Sequence, residues 1–353
     1  MRHRGLLASR LAHGLAYRLP VPPHRKSGFS LVELLVVMAI VISLVGLLLP
    51  SVQAARESGR RTQCSNNLRQ LALGCQQHLD AQSHFPTGGW GREWGGDPDA
   101  GFGIQQPGGW HYAVLPFIDQ MNLRQDGSGS DAAGKAMAGK RTFETHVAGF
   151  VCPTRGVSEP VQVGAFPYEN IAPPSIAGRS DYAANGGDAT SATMMAQDVV
   201  AGSTPQATAR SVLAFPGSAQ GDAAGNDRAT GVIFRGSVMR AAHLPDGLTN
   251  VYLVGERFIE HGQSRTSAAA GNRQGWLVGF GDDSIRFTAD PPETDKVESL
   301  GVYEPRFGGP HSSAFPMAMA DGSVQMIPYD IDPETHKRLG NRKDGEIASV
   351  SSL

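Results

Sequence analysis

Hydrophobic residues are distributed very unevenly along this chain. From Phe29 to Leu49 almost every position is apolar, and Glu33 is the one charged residue of the run. About 21 residues at a helical rise of roughly 1.5 Å span about 30 Å, the thickness of a hydrocarbon core. Ser30 followed by Glu33 fits a capping box, so the helix is expected to start there. Pro50 lacks an amide hydrogen and predicts a kink, after which the helix resumes. From Ser51 to about Ser83 the apolar residues thin out and return as Cys64, Leu68, Leu71 and Cys75, a spacing that marks one face of an amphipathic helix. Phe85-Pro86 and Gly88-Gly89 end it. Gly59 costs this helix about 1 kcal/mol relative to alanine and predicts a local bend or a close packing contact.

Beyond residue 85 the helical period disappears. Tyr112–Gln120 reads as a short helix or a strand-to-helix corner, and Phe150–Pro153 as a strand ending at its proline. The stretch from Gln162 to about Asp227 is rich in small and polar residues and reads as loops. Gly231–Arg235 and Val251–Glu256 read as strands joined through the turn signal Asp246-Gly247. Ala314–Ile327 reads as a hairpin turning at Asp321-Gly322. Trp90, Trp94 and Trp110 lie in Gly-rich sequence, where they form either a sugar-stacking platform or, the favoured reading, loop anchors packed on the sheet. The pattern predicts an α+β fold, with a long bent N-terminal helix packed on an antiparallel, loop-rich head. It divides the chain into a basic N-terminal stretch (1–28), an apolar helix of membrane length (29–50), an amphipathic stem (51–84) and a globular head (85–353).

Composition narrows the function. The chain has 353 residues, 18% charged, with a net charge of −2, so nothing in its charge favours nucleic acid as a partner. Three cysteines, Cys64, Cys75 and Cys152, predict one disulfide and one leftover thiol in an oxidising compartment. Cys64 and Cys75 stand about 16 Å apart on a continuous helix and cannot pair with each other. Cys64–Cys152 is the preferred bridge, with Cys75 a small buried apolar residue. No CxxC pair, HExxH, G-x-S-x-G or phosphate loop occurs, so the sequence predicts no metal, no cofactor and no catalytic residue.

The segment Lys26-Ser27-Gly28-Phe29-Ser30-Leu31-Val32-Glu33-Leu34 resembles the processing site of bacterial type IV prepilins. The resemblance implies a type IV pilin-like architecture, a cut between Gly28 and Phe29 by prepilin peptidase, and methylation of the new terminus at Phe29. It also implies that Glu33 meets the positive terminus of a neighbouring pilin-like subunit and guides assembly. Arg2, Arg4, Arg10, Arg18, Arg25 and Lys26 crowd ahead of the apolar run, which keeps the leader cytoplasmic and sends the head outward across a bacterial inner membrane. A secretory signal ending near Val52-Gln53-Ala54 and a plain membrane anchor are the rival readings. Neither requires Gly28, Phe29 and Glu33 in this arrangement.

The resemblance extends into the head. Arg61–Leu68, Trp110–Gln120, Val151-Cys152-Pro153-Thr154-Arg155, Tyr182–Gly187 and Asp246–Glu256 are similar to successive landmarks of a large bacterial family of prepilin-like proteins whose head has no known function. Its C-terminal signature, a histidine, nine residues, then Asp-Gly, corresponds to His311, Asp321 and Gly322. His311 and Asp321 either converge on a ligand or serve structure, with Asp321-Gly322 supplying turn geometry; the structural role is favoured. Two functions follow: a minor pilin or pseudopilin in a type IV pilus or type II secretion-like assembly, with the head in the periplasm or displayed outside; and, alternatively, a tethered module that holds a glycan or an envelope protein.

Overall fold

The computed structural model describes residues 28–156, 159–190, 229–260, 262–263, 271–295, 305–346 and 348. The leader up to residue 27 and residues 191–228 of the small-residue stretch lie outside the described residues. The chain divides into two compact units, the first ending at Ala54 and the second starting at Ala55.

The first unit is helical from Leu31 and every described residue in it is exposed. It forms the start of α1, Leu31–Gln82, which continues through Pro50 without stopping and resuming. A single proline removes one ladder donor, and in an apolar segment of high propensity the flanking bonds carry the helix past it. Ser30 caps the start: its hydroxyl accepts from the amide of Val32 at 3.3 Å, and Glu33 accepts from the amide of Ser30 at 2.9 Å.

In the second unit α1 is followed by three short helices, α2 (Trp110–Val114), α3 (Met121–Gln125) and α4 (Ala132–Glu144). The strands are β1 (Val161–Gln162), β2 (Ile176–Ala177), β3 (Tyr182–Asn185), β4 (Tyr252–Glu256), β5 (Ile285–Arg286), β6 (Glu293–Thr294), β7 (Gly308–Gly309), β8 (Ala314–Met319) and β9 (Val324–Pro328), and α5 (Pro333–Gly340) follows. The central sheet runs β5-β3-β4-β8-β9. All its pairs are antiparallel except β3 with β5, so the sheet is mixed where an antiparallel one was expected.

Side chains alternate across β8 and divide the core in two. Ala318 and Ala320 point to the face that receives Leu68, Leu71 and Cys75 of α1, whereas Phe315, Met317 and Met319 point to the face covered by Leu339 of α5. Small residues on the α1 side let the helix approach the sheet closely. Gln76 Nε2 donates to the carbonyl of Ala320, and the hydroxyl of Tyr182 donates to that of Cys64 at 3.1 Å. Gly59 has open space where a Cβ would stand, so it makes no packing contact.

Three expectations about strands fail for physical reasons. Gly231–Arg235 is buried but forms no strand, because the amides of Val232 and Ile233 both converge on the carbonyl of Asn185, at 3.2 and 3.1 Å. Phe150–Pro153 forms none either; Ala148–Phe150 is a tight helical turn, and the Cys152 amide donates to the Asp181 carboxylate at 2.7 Å. Conversely, β3 lies within the stretch read as loops. Its Ala183 and Ala184 are fully buried in the middle of the sheet, where small residues show no alternation to read.

Candidate functional site

The residues singled out at the processing motif sit together at the chain's described start. Gly28 and Phe29 are exposed and precede the helix, with Phe29 75% exposed, and Glu33 occupies the first turn of α1.

The head residues separate into two places. Asp321 and Gly322 form the tip of the β8–β9 hairpin, where Asp321 accepts from the amide and hydroxyl of Ser323 at 2.8 and 2.7 Å and Gly322 has φ +86°. A positive φ is the geometry that glycine tolerates without strain. The side chain of His311 bonds elsewhere. It is fully buried between two acids: Nδ1 lies 2.9 Å from Glu57 of α1, and Nε2 lies 3.4 Å from Glu256 at the end of β4. The same Nε2 is 3.7 Å from Cys152 Sγ. His311 and Asp321 therefore share no hydrogen-bond partner among the described residues.

Cys152 is bonded to Cys64 of α1, which ties the helix to the loop after α4. Asn67, three residues further along α1, donates to the carbonyl of Val151 at 3.0 Å. Cys75 is free and buried, and burial pushes its thiol pKa up, which leaves it unreactive.

Behind the disulfide stands a buried ionic chain. Arg155 Nη1 meets Asp181 at 2.8 Å and Nε meets Asp295 at 2.7 Å, while Asp181 holds the Cys152 amide. Burial alone would lower the Arg155 pKa, but the two aspartates outweigh it and the guanidinium stays charged.

Electrostatics favour a shared proton at His311. Burial disfavours the imidazolium, yet hydrogen bonds to Glu256 and Glu57 raise its pKa above the ordinary value. Burial raises Glu256 against the pull of His311 and Arg155. At the more open Glu57, the desolvation cost is overcome by His311 and Arg60, and its carboxyl falls below the usual range. Glu256 has His311 as its partner, with Nε2 3.4 Å from Oε1, and a Cβ at Gly309 would collide with that carboxylate. Gly309 thus leaves room for Glu256 to point at His311.

Sequence reasoning missed Glu57, Glu256, Asp181 and Asp295, because donors so far apart in the chain have no short spacing. Glu57 was visible only within the stem, and Glu256 only as a strand end that closes one of the family landmarks. The tryptophans offered as a stacking platform are buried. Trp90 and Trp94 pack edge to face at 5.0 Å, and Trp110 Nε1 donates to the carbonyl of Ser284 at 2.9 Å.

The model of a family described as a protein of unknown function, DUF1559, matches residues 53–334, more than half of the chain. The chain belongs to this family. A prokaryotic N-terminal methylation motif matches residues 23–49. No curated protein and no solved structure matches. This DUF1559 member is thus a type IV pilin-like, prepilin-processed protein with a membrane anchor at its N-terminus.

Proposed function

We propose that the chain is a minor pilin or pseudopilin. Prepilin peptidase cuts between Gly28 and Phe29, the new terminus is methylated at Phe29, and Glu33 guides docking onto neighbouring pilin-like subunits in a bacterial inner membrane. The head lies in the periplasm or is displayed outside, as part of a type IV pilus or a type II secretion-like assembly. The protein performs no covalent catalysis.

One observation carries the reading: within a matched methylation motif, the apolar start of α1 is wholly exposed and bears a single carboxylate in its first turn. Such a surface is stable only against lipid or other apolar helices. A carboxylate in apolar surroundings is costly and marks a role in pairing. The ion pairs of the head serve its own interior. His111 and Ser180 approach to 2.8 Å, the spacing of a base and a nucleophile, but both are buried and Ser180 also bonds to Tyr182. This supports a structural head over a hydrolase, and the buried tryptophans give no support to a glycan platform.

Mass spectrometry of the mature chain tests the processing: an N-methylated Phe29 is expected, and a terminus near Ala55 would mean ordinary export. Glu33→Ala should impair incorporation into the assembly while leaving membrane insertion intact. Unchanged incorporation would favour a tether for a glycan or an envelope protein.

A further inference from the structure

Cys64, Cys152, His311 and Glu256 each offer a ligand atom, and these atoms lie within 4.8 Å of one another in a fully buried setting. We propose that, before the disulfide forms or after it is reduced, these four side chains bind one zinc-class divalent ion. Metal and disulfide are then alternative ties between the stem helix and the head.

The geometry supports a tetrahedral site. Zinc bonds of about 2.0–2.3 Å place neighbouring donors of a tetrahedron roughly 3.3–3.8 Å apart. His311 Nε2 already stands 3.4 Å from Glu256 Oε1 and 3.7 Å from Cys152 Sγ. The sulfurs must spread when their bond is cut. Glu256 is fully buried with the His311 imidazole as its partner at 3.4 Å, and a dication bound beside it would stabilise the charged carboxylate against burial. The imidazole is oriented as metal-binding histidines are: Nδ1 faces the Glu57 carboxylate at 2.9 Å, which leaves Nε2 aimed at the cluster. Glu57 is thus a positioning residue.

The chemistry balances with a dithiol as reductant. Its two electrons break the Cys64–Cys152 bond, giving two thiols and the reductant's own disulfide. Zinc then displaces both thiol protons and takes the place of any proton on His311 Nε2. The donors come from four distant segments, so no short motif announces the site.

The test uses the full chain in detergent, reduced with a dithiol in mild urea and returned to native buffer with Zn2+ or Co2+. The reduced chain should retain one ion, with Co2+ giving tetrahedral d–d bands and thiolate charge-transfer absorption. The oxidised chain should retain none. Glu57→Gln should weaken zinc binding by about 10- to 100-fold. His311→Gln and Glu256→Gln should weaken it at least as much, and Cys75→Ala should not change it. The proposal is overturned if the oxidised chain binds equally, if binding survives His311→Gln unchanged, if Cys75 is required, or if the reduced chain stays unfolded and metal-free with zinc present. None of these results bears on cleavage at Gly28 or on Glu33, so the pilin reading stands or falls separately.

Discussion

His78 shows how a single buried side chain couples this head to pH. It is fully buried on α1 between the rings of Phe102, Phe117 and His84, its Nδ1 meets the His84 carbonyl at 2.9 Å, and its Nε2 has no partner among the described residues. Burial, with the charge of Arg124 nearby, pushes its pKa down to about 4. The unfolded chain takes up this proton below about pH 6.5, and the folded chain only near pH 4. A depressed folded value means stability is present above the unfolded value and is lost as pH falls through that window, by on the order of 2–3 kcal/mol. Buried His336, at about 3, acts in the same direction. Urea unfolding of the detergent-solubilised chain across this range should show the loss, and His78→Leu should flatten the slope; an unaltered slope would remove His78 from the account. At Gly59, where nothing occupies the Cβ space, Gly59→Ala should stabilise the helix by about 1 kcal/mol in the same assay.

Within α1, periodicity separates positions that matter from neighbours that do not. Leu71 is 1% exposed in the main core, whereas Leu73, two residues on, is 47% exposed. Leu71→Ala should cost about 2–5 kcal/mol by loss of burial and creation of a cavity. Leu73→Ala should change stability by about 0.5 kcal/mol or less. Equal effects in thermal unfolding would show that the stem is not packed on the sheet in this register. The Cys64, Leu68, Leu71, Cys75 stripe was readable from spacing alone because a 3.6-residue period repeats along one face. Gly231–Arg235 was misread because its apolar composition matches a strand, while its amides converge on one carbonyl that sequence does not display.

For the whole molecule, covalent closure and exposed surface dominate. The Cys64–Cys152 bond joins residues 88 apart, and chain-entropy arguments put the stabilisation of such a closure at about 4–5 kcal/mol. Cys64→Ser with Cys152→Ser should lower the unfolding midpoint correspondingly in metal-free buffer; no change would show that packing alone holds the stem. The exposed apolar start of α1 should make the full chain self-associate when detergent is withdrawn, measured by sedimentation, with monomers counting against an anchor or core role.

The long helix, its membrane-length apolar start, the capping pair Ser30 and Glu33, and the hairpin at Asp321-Gly322 were determined by sequence alone. Each depends on residues close together in the chain, where spacing and propensity translate directly into geometry. The tertiary structure decided the rest. It brought Cys64, Cys152, Glu256 and His311 into one buried cluster, set Glu57 at its more open edge against His311, made β3 a central strand from alanines, and paired β5 parallel to it. These contacts join residues far apart in the chain, and their energies come from burial and pairing that exist only once the stem helix lies on the sheet.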